Sequence, residues 1–156
     1  QQLRQVCAYR ADSILNFERI ADISDPVVWQ TFGTKINALK ISLLDFIKTA
    51  RSEGKTIYGY GASTKGNTLL QLFGLTANDI TAIAERSPYK FGKKTVGTEI
   101  PIVSEEEMRA AKPDYLLVLP WHFIDEFVKR ERDYLEAGGA LVVPCPEFKV
   151  ITKADL

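Results

Sequence analysis

The sequence predicts an α/β domain, a Rossmann-like, mostly parallel sheet of four or five strands flanked by helices and preceded by an N-terminal helical segment. Three observations predict it. From Lys55 onward, short apolar runs alternate with stretches of helical periodicity. The links between them are short, so consecutive strands must run parallel through right-handed crossovers. The first run passes through Tyr58-Gly59-Tyr60-Gly61 straight into a helical pattern, as the first strand of such a sheet does.

Residues 1–53 form the helical lead-in. Leu3, Val6, Ile14 and Phe17 recur at roughly helical spacing in a polar background. A second helix follows. Ser24 is placed to cap it, and Pro26 falls in its first turn, where a missing N–H costs nothing. Val28, Phe32, Ile36, Leu39, Leu43, Phe46 and Ala50 then step by three or four residues into one apolar stripe, which Gly54 ends. Such a segment packs on the sheet that follows or links it to an upstream domain.

The strand runs are 56–59, 80–84, 115–119 and 140–143, each short and rich in Ile, Val, Leu or Tyr, with 100–103 as a shorter fifth. Runs without alternation suit strands covered on both faces. Helices are expected over 64–73, 105–111 and 123–137. Ser104 and Glu107 have capping-box spacing, and Gly74 and Gly138 suit helix ends. The expected domain spans 54–150, with 151–156 as a tail.

Composition narrows the function. The chain has 156 residues, 46% hydrophobic and 26% charged, enough for one domain with a real core. Its 20 Lys+Arg balance 20 Asp+Glu, and this argues against nucleic acid, which needs a cationic face. No apolar run approaches the roughly 20 residues of a bilayer span, so no membrane partner is expected. Cys7 and Cys145 lie far apart, which suits a reducing, cytoplasmic setting better than zinc or a redox pair. A chain that opens at Gln1 and holds one Met, Met108, is expected to be a piece of a longer protein.

The segment 58–67, Tyr-Gly-Tyr-Gly-Ala-Ser-Thr-Lys-Gly-Asn, carries the most chemistry. It follows the first strand and opens the first helix, at the sheet edge where ligands bind. Gly59 and Gly61 let the backbone turn tightly, free N–H groups at a helix start favour an anion, and Ser63, Thr64, Lys65 and Asn67 add donors and one positive charge. A phosphate or diphosphate is the expected guest of Gly59, Tyr60, Gly61, Ala62, Ser63, Thr64, Lys65 and Asn67. The match to known fingerprints is imperfect. A dinucleotide fingerprint would place its third glycine at Thr64, and a Walker loop would place lysine at Asn67. Tight turning alone would also account for the glycines, though the segment is more polar than a turn requires.

Other strand ends add candidates. Glu85 closes the second run, where an acid commonly bonds ribose hydroxyls. Arg86 follows it, and the loop 87–94 is polar and basic. In that loop Tyr89 or Phe91 could stack on a base, and Lys90 could meet a phosphate. Pro120-Trp121-His122-Phe123 ends the third main run and holds the only histidine. Histidine titrates near neutrality and suits acid–base work. No local Asp or Glu orients His122, so it is read as a substrate contact or a cap. Cys145, between Pro144 and Pro146, has nothing nearby to activate it and is read as structural. No nucleophile–base pair, metal-ligand spacing or close carboxylate pair stands out.

The segments 58–71, 85–104, 112–123 and 138–146 together resemble the C-terminal domain of the SAM-dependent C-methyltransferases that act on nucleotide-linked deoxysugars. The resemblance covers about residues 25–150. It implies a parent with an N-terminal zinc module, a middle domain that binds S-adenosylmethionine and carries the acid–base residues, and this Rossmann-like domain, which helps hold the nucleotide sugar. The parent would remove a proton beside a keto group, and the carbanion would attack the donor methyl. On that reading no catalytic residue, metal or cofactor belongs to this chain, which alone is expected to be inactive. Its partners are a dTDP-type sugar and the upstream donor-binding domain. The resemblance carries over the turn 59–67 and Glu85, Arg86, Pro88, Tyr89, Lys90 and Trp121. At His122 the family often has Asn, at Pro120 Ala, and at Glu85 Asp. Three other readings stay open: a small NAD(P)-binding oxidoreductase-like domain, since an acid follows the glycines at about 20 residues; the S-adenosylmethionine site itself, although Tyr58 stands where such sites often have an acid; and a non-catalytic interaction domain.

Overall fold

The structure, a computed structural model, describes residues 2–156, with side chains from Arg10 onward. The chain divides into two compact units, residues 1–38 and residues 39–156.

The first unit holds helix α1 (Gln2–Ile20) and the start of α2 (Pro26–Ser52). The side chains of Leu3, Val6 and Cys7 lie outside those described. The cap of α2 is Asp25 rather than Ser24: Asp25 Oδ1 accepts from Val27 N at 2.8 Å, while Ser24 Oγ donates to Asp22. Pro26 opens the helix, so the cap position falls on the residue just before it. The apolar stripe of α2 has two parts. Val28 and Phe32 are exposed, Phe32 at 57%, whereas Leu43, Ile47 and Ala50 are buried. Phe46 packs edge-on against Tyr115 with ring centres 4.9 Å apart, and tilts on Phe148. The second part of the stripe is thus core of the second unit.

That unit is built on β1 (Ile57–Tyr60), α3 (Thr64–Phe73), β2 (Ile83–Glu85), β3 (Ile102–Ser104), α4 (Glu105–Ala111), β4 (Tyr115–Val118), α5 (Ile124–Arg130), α6 (Arg132–Glu136), β5 (Ala140–Val143) and β6 (Lys149–Ile151). The strand order is β3-β2-β1-β4-β5-β6. All neighbours are parallel except β5 and β6. Strands β1, β4 and β5 are almost wholly buried, as strands with helices on both faces must be. β1 pairs with β2 on one side and β4 on the other, so the crossovers diverge from it. This switch point opens a crevice at the carboxyl edge.

Two elements differ from the expectation. The sheet has a sixth strand, β6, with only three residues. Pro144 and Pro146 lie in the five-residue link before it. Proline lacks a ladder donor, and so short a link can only reverse the chain, which makes β6 antiparallel. The helix expected over 123–137 is broken into a 3-10 turn (Trp121–Phe123), α5 and α6. The break falls at Glu131, whose side chain is 1% exposed. Glu131 accepts hydrogen bonds from the buried Tyr60 hydroxyl and from both terminal nitrogens of Arg109. Those bonds draw it beneath the helix.

Candidate functional site

The site is the carboxyl edge around the turn 61–63. Two glycines shape it through packing. Gly61 has φ +82°, and a Cβ there would lie 2.8 Å from the Pro120 ring. Gly66, in the first turn of α3, lets the helix approach the end of β4, where a Cβ would lie 2.5 Å from Leu119 Cβ. This close helix–strand approach is the task of the third glycine in dinucleotide folds. Here that glycine stands two residues after Thr64, where the fingerprint would put it.

The turn's amides are largely engaged by the protein. Gly61 N donates to Ala84 O and Ser63 N to Gly61 O, each at 2.8 Å. Ala62 N donates to Glu85 Oε2 at 3.0 Å. Ser63 caps α3: its Oγ accepts from Gly66 N at 3.0 Å and its carbonyl from Asn67 N at 2.9 Å. Only the amides of Thr64 and Lys65 in the first turn are left for a guest. The expectation that the whole segment 59–67 cradles an anion narrows to these two.

Glu85 is committed as well. Besides Ala62 N, it accepts from Arg86 N at 2.8 Å, Ser87 N at 3.1 Å and Lys90 Nζ at 3.0 Å. Burial pushes its carboxyl up, but the bonds from Lys90, Ser87 and Arg86 outweigh that and hold it below the ordinary glutamate value. Lys90 Nζ also donates to Ala62 O at 2.8 Å. Glu85 and Lys90 thus brace the turn from the side of β2.

Two clefts flank this brace and share Ala62, Ser63 and Lys90 as their common wall. The first, of about 510 Å³, lies over α5 and has Arg86, Glu105, Phe123, Glu126 and Arg130 among its lining residues. Its charges are mixed. Arg130 ion-pairs with Glu105 at 3.0 Å and Glu131 at 3.4 Å, and its guanidinium lies 5.1 Å and 4.9 Å above the Tyr60 and Phe127 rings. The second, of about 320 Å³, lies against α3. Thr64, Asn67, Lys94 and Thr95 face it over an apolar floor of Leu70, Ile83, Ile102 and Leu119, and no Asp or Glu lines it.

The sequence-selected residues therefore separate. Gly61, Ala62, Ser63, Glu85, Arg86 and Lys90 border the first cleft, and Ala62, Ser63, Thr64, Asn67 and Lys90 the second. Lys65 lines neither and is exposed. Gly59 lies within β1, and Tyr60 is fully buried with its hydroxyl in the Glu131 network. Burial first, then Glu131, pushes the Tyr60 phenol up. Pro88 and Tyr89 are exposed and line neither cleft, Tyr89 at 84%. Trp121 and His122 sit in the 3-10 turn after β4, where Pro120 and Phe123 face the first cleft in their place. Sequence reasoning did not select Arg130, Lys94 or Thr95. Lys94 was visible as part of a basic loop, whereas no local signal marked Arg130. Cys145 is partly buried, and burial pushes its thiol up. Among the described residues no group of three His, Cys, Asp or Glu could hold a metal, and no helix is long and apolar enough to cross a membrane.

Known proteins resemble this chain over most of its length. The family model for the C-methyltransferase C-terminal domain matches residues 2–146. The C-methyltransferase NovU of Streptomyces niveus is 34% identical over 135 residues, which are 86% of this chain and 32% of that relative. The chain thus spans about a third of the length of the curated relative it matches. These matches set aside the oxidoreductase reading. A match over nearly the whole chain, running through both helical lead-in and sheet, makes this chain a member of the C-methyltransferase C-terminal domain family.

Proposed function

We propose that this domain holds the nucleotide end of a nucleotide-linked keto-deoxysugar for a C-methyltransferase whose donor, S-adenosylmethionine, is bound elsewhere in the parent. The observation that carries the reading is the pair of clefts meeting at the β1 turn, at the switch point of the sheet, with the Thr64 and Lys65 amides free at the start of α3. The residues present do not suit the donor itself. Glu85, which would meet its ribose, is engaged by three backbone amides and Lys90. No methyl-transfer step is therefore assigned to this chain. Its contribution is positional: fixing the nucleotide sets the sugar carbon against the donor.

The test is calorimetric. The full-length parent should bind dTDP, and this chain should bind it more weakly, because a ligand held between domains loses contacts when one is removed. A parent that shows no heat with dTDP or a dTDP-sugar would overturn the assignment.

A further inference from the structure

Away from the sheet edge, the apolar surface of the first unit stands out. On α1, Ile14, Phe17 and Ile20 step by three and share one side of the helix, and all are exposed, Phe17 at 72%. On α2, Val28 and Phe32 step by four with Trp29 beside them, and Trp29 is 58% exposed. Single exposed apolar residues are ordinary, but stripes of isoleucine, phenylalanine and tryptophan mark a surface that something covers. The α2 stripe shows what cover does. Further along the same helix it passes through Ile36 and Leu39, which are half-buried, to Leu43, Ile47 and Ala50, which are core. The first half of the stripe has the same chemistry and stays exposed. It is also pre-organised. Trp29 Nε1 donates to Ile23 O at 2.6 Å, and the Trp29 and Phe32 rings meet edge to face with centres 6.4 Å apart. With its one polar atom already bonded, the indole has only apolar surface to offer, and its position is set before a partner arrives.

Charge and family limit the partner. In this unit Asp12, Glu18 and Asp25 stand among Arg10, Arg19 and Lys35, so it lacks the cationic face that an anionic membrane or a nucleic acid would need. A protein surface fits. The family model begins at residue 2 and so counts α1 and α2 as part of the domain. The matched stretch is 32% of NovU, which leaves about two thirds of that relative outside it. Partners that never separate can be strongly apolar, whereas those that must part keep polar surface. We propose that the apolar faces of α1 and of the first half of α2 are seated against the remainder of the parent chain, as an obligate interface within one polypeptide. The tether supplies the local concentration, so the interface forms without charge steering. Phe17, Trp29 and Phe32 are its anchors. The inference rests on family membership and is independent of the nucleotide-sugar reading.

Carbene labelling of side chains, read by mass spectrometry, compares the 156-residue chain with the full-length parent. Phe17, Trp29 and Phe32 should label strongly in the 156-residue chain and roughly fivefold less in the parent, the ratio between a half-exposed and a buried side chain. The double variant Phe17→Glu/Phe32→Glu should leave the melting temperature of the 156-residue chain unchanged, because both positions are exposed and lie outside the α/β unit. In the parent it should lower the melting temperature by about 5 °C or more, the scale of charges buried without partners. Phe17→Ala/Phe32→Ala should act in the same direction with a smaller effect. Equal labelling in the two chains, or a parent indifferent to both variants, would overturn the proposal. So would weak labelling of the 156-residue chain by itself together with a dimer in analytical ultracentrifugation, which would give the face to a second copy. Whether the parent binds dTDP does not enter this outcome.

Discussion

Glu131 shows how much one side chain decides. It is nearly inaccessible, yet it is ionised against Arg109 and Arg130 and accepts from the Tyr60 hydroxyl. Burial alone would push its carboxyl up, but the bonds from Arg109 and Tyr60 and the two guanidinium charges hold it below the ordinary glutamate value. A carboxyl with a lowered folded-state pKa stabilises the fold at neutral pH, and that contribution disappears as the pH falls below the ordinary range near about 4.3. Glu131→Gln should therefore lower the unfolding free energy at pH 7 by about 2–3 kcal/mol, the scale of hydrogen bonds to a charged group. It should also flatten the acid side of the stability profile, as read by urea unfolding at a series of pH values. An unchanged profile would show that the network is dispensable. Nothing near Glu131 in the sequence marks it as buried, because the partners that hold it there, Arg109 and Tyr60, are 22 and 71 residues away. The same holds for Arg130, which local patterning leaves as one more surface cation of a helix.

At the level of elements, the contact between α3 and the end of β4 is the tightest constraint at the site. Alanine normally improves on glycine within a helix by up to about 1 kcal/mol. At Gly66 the added methyl would meet Leu119, a fully buried residue with nowhere to move. Gly66→Ala should reverse the usual sign and cost about 1–2 kcal/mol. It should also displace the Thr64 and Lys65 amides, so thermal melting and dTDP titration would both register it. A variant as stable as the unaltered chain would show that α3 can shift without loss. Most elements could be read from periodicity and caps. Ser104 and Glu107 form the expected capping box, with both bonds made, and α3 and α4 begin and end where expected. Elements set by long-range pairing were not readable. β6 exists because β5 offers it an edge, and the α5–α6 break exists because Tyr60 and Arg109 draw Glu131 inward.

On the scale of the whole molecule, every residue described as buried lies at Leu43 or beyond. The described side chains of the first unit contribute none of them, although Ile14, Phe17, Trp29 and Phe32 are large and apolar. A chain starting at residue 39 should therefore keep the α/β unit folded, with a cooperative melt within a few degrees of the longer chain, as far as an uncoupled unit allows. Circular dichroism and thermal scanning would check this. A molten or aggregated product would show that the first unit is required. The sequence alone established the α/β class, the parallel crossovers, the turn at the end of β1 and the family resemblance, because each is written in local periodicity, caps and contiguous motifs. The tertiary structure alone decided which of that turn's amides remain free, that Glu85 braces the protein rather than standing open, and that the acid-free cleft lies on the α3 side. Hydrogen-bond satisfaction and charge balance depend on residues far apart in the chain, and only folding brings them within reach of one another.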